Sequence, residues 1–366
     1  MGMLALHRRT LTAFVAGLVG ILTIGLAASA ADADKADRLT TVDGTIWVAN
    51  RGTHTIRGFD AATGSVVSTV AMAAGSQPGD LAYARGRLYV AEEFGTPPAI
   101  AIVDPATGVV EKRIELAPGS RPHHVHRSPS GDLVAFGLYG TDKVAVVDTA
   151  TESLLGPWDT DPTSTSGRDH SGVFSKDGMS LYVASDATNE VIALDPRTGE
   201  VLWRMDVPGA HELAVSRNGK TAFVTRRTLN RVSVIDLGER TYTDVLTLGL
   251  PDTMRLAAGG KLLTVGLRTT PAQVAVVDTR TFDYELVRIG PALDTTTIAG
   301  HQWTSPNGRF TFAAFEGGTK PGVAVIDHRA GNAVIGTLDY PGRPHGVDLA
   351  PVSDDDDEGI VGGEDD

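Results

Sequence analysis

Five histidines recur at nearly the same place in successive internal repeats of this chain. Counted back from the residue that opens a turn in each repeat, four stand five places earlier and one stands four places earlier: His123, His170, His211, His345 and, one residue off, His301. The two remaining repeats carry Asp252 and Gly79 at that place. Neutral imidazole is a good ligand for Zn²⁺ or copper, and a carboxylate can complete the ligand set. The pattern therefore predicts a metal site.

Two further candidate ligands lie in the run Pro122-His123-His124-Val125-His126. Because side chains alternate between the faces of a strand, His123 is expected to point away from His124 and His126. If the register slips by one residue, His124 replaces His123 as the ligand. The alternative explanation of the recurring histidines is duplication: one ancestral repeat contained a structural histidine, and the histidine was copied with the repeat.

Acidic residues beside the histidines could support them. Asp169 and Glu212 flank His170 and His211. A carboxylate that accepts the second N–H of a ligand histidine fixes its tautomer and raises its basicity. The other interpretation is that both acids face solvent at the rim of the site.

The repeats themselves predict the fold. An alternating apolar run ends in aspartate seven times, at intervals of 41 to 49 residues: Asp60, Asp104, Asp148, Asp195, Asp236, Asp278 and Asp327. This period is typical of propeller blades. Each unit has short Val- and Ile-rich runs bounded by Pro, Gly, Asp and Asn, which indicate antiparallel strands. We predict an all-β, seven-bladed β-propeller.

The two ends of the repeat region complete one blade in this prediction. The first unit begins at Thr45–Asn50 without an inner strand, and His345–Ala350 has the inner-strand pattern with nothing after it. Pairing of the two would close the ring and remove exposed strand edges. Each inner strand would then line one central channel, so histidines far apart in sequence converge there.

Four segments are expected along the chain: an export signal over residues 1–30, a linker over 31–44, the propeller over 45–351 and an acidic, disordered tail over 352–366. Arg8 and Arg9 precede an apolar run and Ala28-Ser29-Ala30, as in a cleavable signal peptide. The arginine pair is also compatible with twin-arginine export. An uncleaved anchor is the alternative, but the run is shorter than the roughly 20 residues that a bilayer needs. We expect an exported protein without stable membrane insertion.

Composition excludes several classes of function. The chain has no cysteine, which excludes disulfides, thiolate metal sites and a cysteine nucleophile. Its net charge is −13, and eight of the acids lie in the tail, so the rest carries −5. With no basic stripe, nucleic acid is not an expected partner. No nucleophile elbow, phosphate loop or His-Glu-Xaa-Xaa-His motif occurs.

The units resemble the YVTN family of propeller repeats, through runs such as Leu88-Tyr89-Val90-Ala91, Leu181-Tyr182-Val183-Ala184 and Val234-Ile235-Asp236. Within that group the chain is most similar to exported zinc metallochaperones of the AztD family, through Arg121–His126 and Phe136–Gly140. One departure is that residues 31–43 hold acids and no His-rich stretch. Propellers carry many functions, so the resemblance specifies the fold more firmly than the activity.

The resemblance implies a protein that is not an enzyme. It would be monomeric, hold Zn²⁺, or Cu²⁺, at a His-rich channel mouth, and pass the ion to the solute-binding protein of a zinc ABC importer. A lactonase or other hydrolase of the YVTN type is the first alternative, with the same histidines as general bases or ligands. A copper-binding, reductase-like protein and a metal-free cell-surface interaction module are the others.

Overall fold

The computed structural model describes residues 38–160 and 169–351. The chain divides into two units at Arg38, and the propeller belongs to the second, from Leu39 onward. The predicted signal, half of the predicted linker and the acidic tail lie outside the described residues. Among those described, no helix is long and apolar enough to cross a membrane.

Seven antiparallel sheets of four or five strands form the blades, as predicted. Seven strands are innermost in their sheets and contact one another in a closed ring: β4 (Pro78–Ala84), β8 (Pro122–Arg127), β13 (Asp169–Phe174), β17 (Glu212–Val215), β21 (Pro251–Ala257), β25 (Ile298–Thr304) and β29 (Pro344–Ala350). These strands line the central channel. We call the end of the channel where they begin the upper face, and the end where they finish the lower face.

The second strand of each blade is almost wholly buried: β1 (Thr45–Asn50), β5 (Arg87–Glu92), β9 (Leu133–Leu138), β14 (Leu181–Ser185), β18 (Thr221–Arg226), β22 (Leu262–Leu267) and β26 (Phe310–Glu316). The third strand carries the Val- and Ile-rich run that ends at or just before the recurring aspartate: β2 (Thr55–Asp60), β6 (Ala99–Asp104), β10 (Lys143–Asp148), β15 (Glu190–Leu194), β19 (Arg231–Asp236), β23 (Gln273–Asp278) and β27 (Gly322–Asp327). Side chains of neighbouring blades meet in seven apolar clusters. Burial of both faces explains why these runs are apolar throughout.

The outermost strands are more exposed: β3 (Val66–Ala71), β7 (Val109–Glu115), β11 (Ser153–Leu154) with β12 (Trp158–Asp159), β16 (Val201–Asp206), β20 (Thr241–Thr247), β24 (Tyr284–Arg288) and β28 (Ala333–Asp339). In the third blade this outermost strand is divided into two short strands, β11 and β12. Pro157 has no N–H to donate to the sheet, so it interrupts the strand. Three short 3₁₀ helices lie in loops, η1 (Arg227–Leu229), η2 (Ala258–Gly260) and η3 (His328–Ala330).

Ring closure follows the prediction from the two ends of the repeat region. The last strand, β29, pairs antiparallel with β1, with Thr45 opposite Ala350 and Val48 opposite Val347. The blade therefore has the order β29-β1-β2-β3. Hydrogen bonds between the ends of the repeat region hold the ring shut and leave no unpaired inner strand in this blade.

The predicted turns between the inner two strands adopt one conformation. Gly131, Gly178, Gly219 and Gly308 have φ of 65–71° and each donates its N–H to the carbonyl of the serine that opens the turn. A left-handed conformation at this place favours glycine. These turns fix the lower end of each hairpin, which sets the height of the histidine column at the upper end.

Candidate functional site

The histidines come together because side chains at the upper ends of two innermost strands do not alternate regularly between the faces of the sheet. The register with the second strand shifts between Pro122 and Val125 in β8, and between Ala299 and Gln302 in β25. A bulge of this kind re-aims the side chains of the bulged residues. The bulge in β25 spans His301, which explains why this histidine stands one residue off the recurring position. The expectation that His123 points away from His124 was wrong, because the bulge in β8 lies at these two residues and breaks the alternation.

Five imidazole rings from three strands occupy the upper half of the channel. The ring centroids of His124 and His301 are 4.2 Å apart, those of His301 and His345 4.3 Å, and those of His123 and His124 4.6 Å. The fifth ring is that of His126, further along β8. We call these five residues the histidine cluster.

The ring nitrogens of the histidine cluster form three overlapping groups with metal-ligand spacing. In each group the candidate ligand atoms all lie within 4.8 Å of one another: His123, His301 and His345; Asp80, His124 and His301; His124, His126 and Glu212. Neighbouring groups share His301 or His124. The groups therefore follow one another along the channel without a gap.

Two buried carboxylates complete these groups. An oxygen of Asp80 lies 3.1 Å from Nδ1 of His301, and the two oxygens of Glu212 lie 3.1 Å from Nδ1 of His124 and 3.4 Å from Nε2 of His126. Asp80 also accepts the backbone N–H of Val125 at 2.9 Å. That contact ties the second blade to the third at the level of the cluster.

At the upper end, an arginine keeps one histidine neutral. Arg51 donates from its guanidinium to Nδ1 of His123 at 2.9 Å and pairs with Glu93 at 2.6 Å. Since a guanidinium only donates, Nδ1 of His123 must carry its lone pair. Burial lowers the pKa of His123, and Arg51 adds to the effect, although Glu93 opposes it.

Burial also lowers the pKa of other members of the cluster. The pKa of His345 lies well below its ordinary value, because burial and the nearby positive charges of Arg51 and Arg268 disfavour its cation. Burial and Arg255 lower the pKa of His126. These rings are therefore neutral at pH 7, which is the form that binds metal.

A buried ring nitrogen of the histidine cluster also fits a metal ion. Nδ1 of His345 is buried and has no hydrogen-bond partner among the described residues. A buried polar atom without a partner is costly, and native proteins rarely contain one. A metal ion bound through Nδ1 of His345, with His123 and His301 as further ligands, would satisfy it.

His211 and Asp252, both predicted as ligands, lie on the upper face but contact each other instead. Nε2 of His211 is 2.8 Å from Asp252, and its Nδ1 is 3.0 Å from Asp186. Burial opposes the cation, but hydrogen bonds to Asp186 and Asp252 raise the pKa of His211. Both ring nitrogens of His211 are thus engaged, and neither residue belongs to a group with metal-ligand spacing among the residues the structure describes.

For His170 the structure describes the backbone, which lies in β13, while the side chain falls outside the described part, as does that of Asp169. The prediction that His170 binds metal therefore stays a prediction. Glu212, proposed as a supporting acid, contacts two histidines directly.

Arginines surround the upper opening of the channel. Three buried carboxylates, Glu93, Asp252 and Glu316, each lie between two guanidinium groups. The arginines are five: Arg51, Arg121, Arg227, Arg268 and Arg343. Guanidinium groups outnumber their carboxylate partners, so the rim attracts anions.

Sequence reasoning missed Asp80, Glu93 and Arg51. Asp80 follows Gly79, the residue that occupies the histidine column in the second blade, and a one-residue bulge there brings the aspartate into the site. Arg51 and Glu93 directly follow the second strands of their blades. Arg51 and Glu93 could have been found in the sequence from this equivalent position, because the residue after the second strand lies near the channel in both adjacent blades.

Comparison with known proteins places the fold among seven-bladed propellers. The periplasmic gluconolactonase PpgL of Pseudomonas aeruginosa superposes with a TM-score of 0.62 at 20% identity, covering 85% of this chain and 99% of that one. The dihydro-heme d1 dehydrogenase NirN superposes with a TM-score of 0.60 at 15% identity, covering 91% and 82%. At these identities the likeness concerns the fold alone.

Sequence comparison extends this result. The uncharacterized protein YncE of Salmonella typhi is 30% identical over 94 residues, which span 25% of this chain and 26% of that protein. The family model described as "Lactonase, 7-bladed beta-propeller" matches residues 104–289, just over half of the chain. With seven blades closed around one channel and this match along the repeats, the chain belongs to the seven-bladed β-propeller lactonase family.

Proposed function

We propose that the protein binds Zn²⁺ in the histidine cluster and carries the ion as cargo. The observation that supports this most is the convergence of five imidazoles in the channel, one of which, His345, has a buried Nδ1 with no hydrogen-bond partner in the described part of the chain. Imidazole nitrogens with one carboxylate form a common ligand set for zinc, and copper is the next metal to test.

The overlap of the three groups supports a carrier rather than a permanent structural site. Because His301 and His124 each belong to two groups, an ion can exchange one ligand at a time without losing all of them. On this proposal the protein is exported and hands Zn²⁺ to the solute-binding protein of a zinc importer, the partner that the resemblance to AztD proteins implies.

A lactone-hydrolysing enzyme is the second candidate, and the comparisons favour it over a metallochaperone. The family is named for lactonases, and a similar structure is a periplasmic gluconolactonase. The arginine rim also suits a substrate with a carboxylate or phosphate group. In this reaction a histidine or carboxylate takes a proton from water, the hydroxide attacks the lactone carbonyl, and the ring oxygen leaves and is protonated.

One experiment on the mature protein separates the two candidates. Metal content after dialysis is measured by elemental analysis, Zn²⁺ and Cu²⁺ affinities by competitive titration, and hydrolysis of glucono-δ-lactone by acid release. The variant His124→Gln/His301→Gln removes the two shared histidines. His328→Gln is the control, because His328 lies outside the channel and hydrogen-bonds Thr311 and Asn332.

Under the zinc proposal, the wild type and the control retain about one ion. The double variant should lose more affinity than the roughly 10–100-fold that changes outside the ligand shell cost. Lactone turnover without retained metal would overturn the zinc proposal and support the enzyme. Retained zinc in the double variant would show that the histidine cluster is not the site.

A further inference from the structure

The lower half of the channel contains a pocket that borders the histidine cluster at His126 and is otherwise lined by residues to which the proposed function gives no role. Two adjoining cavities of about 200 and 250 Å³ lie where the innermost strands end, and both are lined by Arg127, Leu256, Trp303 and Thr304. Five of the seven innermost strands contribute to the smaller cavity. Together the two reach the size at which small-molecule sites begin, roughly 300 Å³.

Three guanidinium groups from three blades line this pocket. Arg127 donates to the carbonyl oxygen of Tyr83 at 3.2 Å, and Arg255 donates to Glu212 at 3.1 Å. Arg217 lies in the turn after β17, where it forms no hydrogen bond or ion pair with residues 38–160 or 169–351. Its guanidinium is available to a ligand.

One carboxylate, Asp348, stands in the wall of the smaller cavity. Its two oxygens accept the backbone N–H groups of Tyr83 at 2.8 Å and Leu349 at 2.9 Å. Glu212, which pairs with Arg255, is shared with His124 and His126. Neither acid is placed to neutralise Arg217, so the pocket keeps an excess of positive charge.

The remaining wall is apolar and aromatic. Trp303 is half-buried beside Phe312, and its indole N–H has no acceptor among the residues the structure describes. Leu256 faces the same space. Such a wall suits a ligand with a flat or apolar body, because apolar surface and an aromatic face are removed from water together.

We propose that the lower pocket binds a small organic carboxylate, with the carboxylate at the guanidinium groups of Arg127 and Arg217 and the apolar body against Trp303 and Leu256. The planar guanidinium matches the two oxygens of a carboxylate. The proposal goes beyond the zinc site and does not require a metal in the channel. It also assigns a second ligand-binding end to the channel, opposite the arginine rim.

The test uses benzoate as the probe and benzyl alcohol as an uncharged counterpart of similar size. Binding to the full mature protein is followed by calorimetry and by tryptophan fluorescence, once after EDTA treatment and once with Zn²⁺ added. Benzoate should bind in both states, and benzyl alcohol at least about tenfold more weakly, since charge-assisted hydrogen bonds are lost.

Two variants locate the site. Arg127→Gln should weaken benzoate about tenfold or more, and Arg217→Gln, at an exposed position that does not support the fold, should weaken it by a smaller factor. Arg280→Gln, in an exposed turn between β23 and β24, is the control and should leave the affinity unchanged. Trp303→Phe should remove the fluorescence change.

The proposal is overturned if benzoate and benzyl alcohol bind alike, if neither binds, or if both arginine variants bind as the wild type does. If Arg127→Gln unfolds at a lower temperature, Arg217→Gln alone decides. Because the EDTA-treated protein is tested, failure of the zinc proposal would not change the expected result.

Discussion

Two sides of the upper channel carry histidines from the same sequence column and hold them in opposite states. His345 lies among other imidazoles and near Arg51, and its pKa is well below the ordinary value because burial and nearby positive charge disfavour the cation. His211 lies between Asp186 and Asp252, whose hydrogen bonds raise its pKa despite equal burial. The recurring position thus fixes where a histidine lies in the channel, whereas the neighbouring groups decide whether its pKa is lowered or raised.

The largest expected effect concerns stability. His211→Gln should lower the free energy of unfolding by about 1.5–3 kcal/mol, because Asp186 and Asp252 each lose a charge-assisted hydrogen bond, while Arg227 and Arg268 still neutralise Asp252. His345→Gln should cost much less, since Nδ1 of His345 has no partner to lose in the described chain. Urea unfolding at pH 6 measures both. Equal losses of unfolding free energy in the two variants would contradict the difference between the surroundings of His211 and His345.

For Zn²⁺ affinity we expect the larger loss in His345→Gln and the smaller loss in His211→Gln, the reverse of their order in stability. His345→Gln removes a candidate ligand and should weaken Zn²⁺ binding by more than about tenfold, whereas His211→Gln should change it by less than about threefold if the ion pair remains outside the ligand set. Competitive titration of both variants, checked to be folded, gives the ratio. A larger loss in His211→Gln would place the ion on the other side of the channel.

Zn²⁺ affinity should depend on pH if the histidine cluster is the binding site. Protons compete with metal for neutral imidazoles, so Zn²⁺ affinity should fall by about tenfold or more between pH 7 and 5. The comparison with Glu93→Gln at each pH is informative, because Glu93 favours the protonated form of His123. Affinity that is constant over this range would contradict the histidine site.

Stability against pH should have opposite slopes for the two histidines. The raised pKa of His211 contributes stability that is complete below its unfolded value of about 6.5 and is lost as pH rises through the folded value. The lowered pKa of His345 contributes in the other direction, with stability present above about 6.5 and lost as pH falls. Thermal unfolding of each variant against the wild type, from pH 5 to 8, should show differences that change in opposite directions.

The smallest effect is expected at the upper end of the cluster. Arg51→Gln removes a cation that lowers the pKa of His123, so that pKa should rise modestly while the fold is retained. The change is measured by NMR titration of the imidazole, with Arg57→Gln as the control at a position outside the channel. An unchanged pKa would mean that burial alone keeps His123 neutral.

The fold was predictable because its signals are local and repeated. Alternating apolar runs that end in aspartate occur seven times at a regular interval, and a Ser-Xaa-Xaa-Gly turn marks the inner hairpin in four of the repeats. The unmatched first and last units require that β29 pairs with β1. The candidate site was predictable only in part. The recurring position identified His123, His301 and His345, but the regular alternation of a strand gave the wrong relation between His123 and His124, since a bulge depends on pairing with the next strand.

The sequence by itself determined the seven blades and the column of histidines at their upper end, because each blade is built from contacts between residues close in the chain. It also determined the closure of the ring, because the first unit lacks an inner strand and the last strand has no other partner. Only the tertiary structure decided that Asp80 and Glu212 join the cluster, that His211 belongs to an ion pair, and that the lower pocket gathers arginines from three blades. Those contacts join residues on different blades, and the free energy of burying a charge depends on the groups that surround it after the ring has closed.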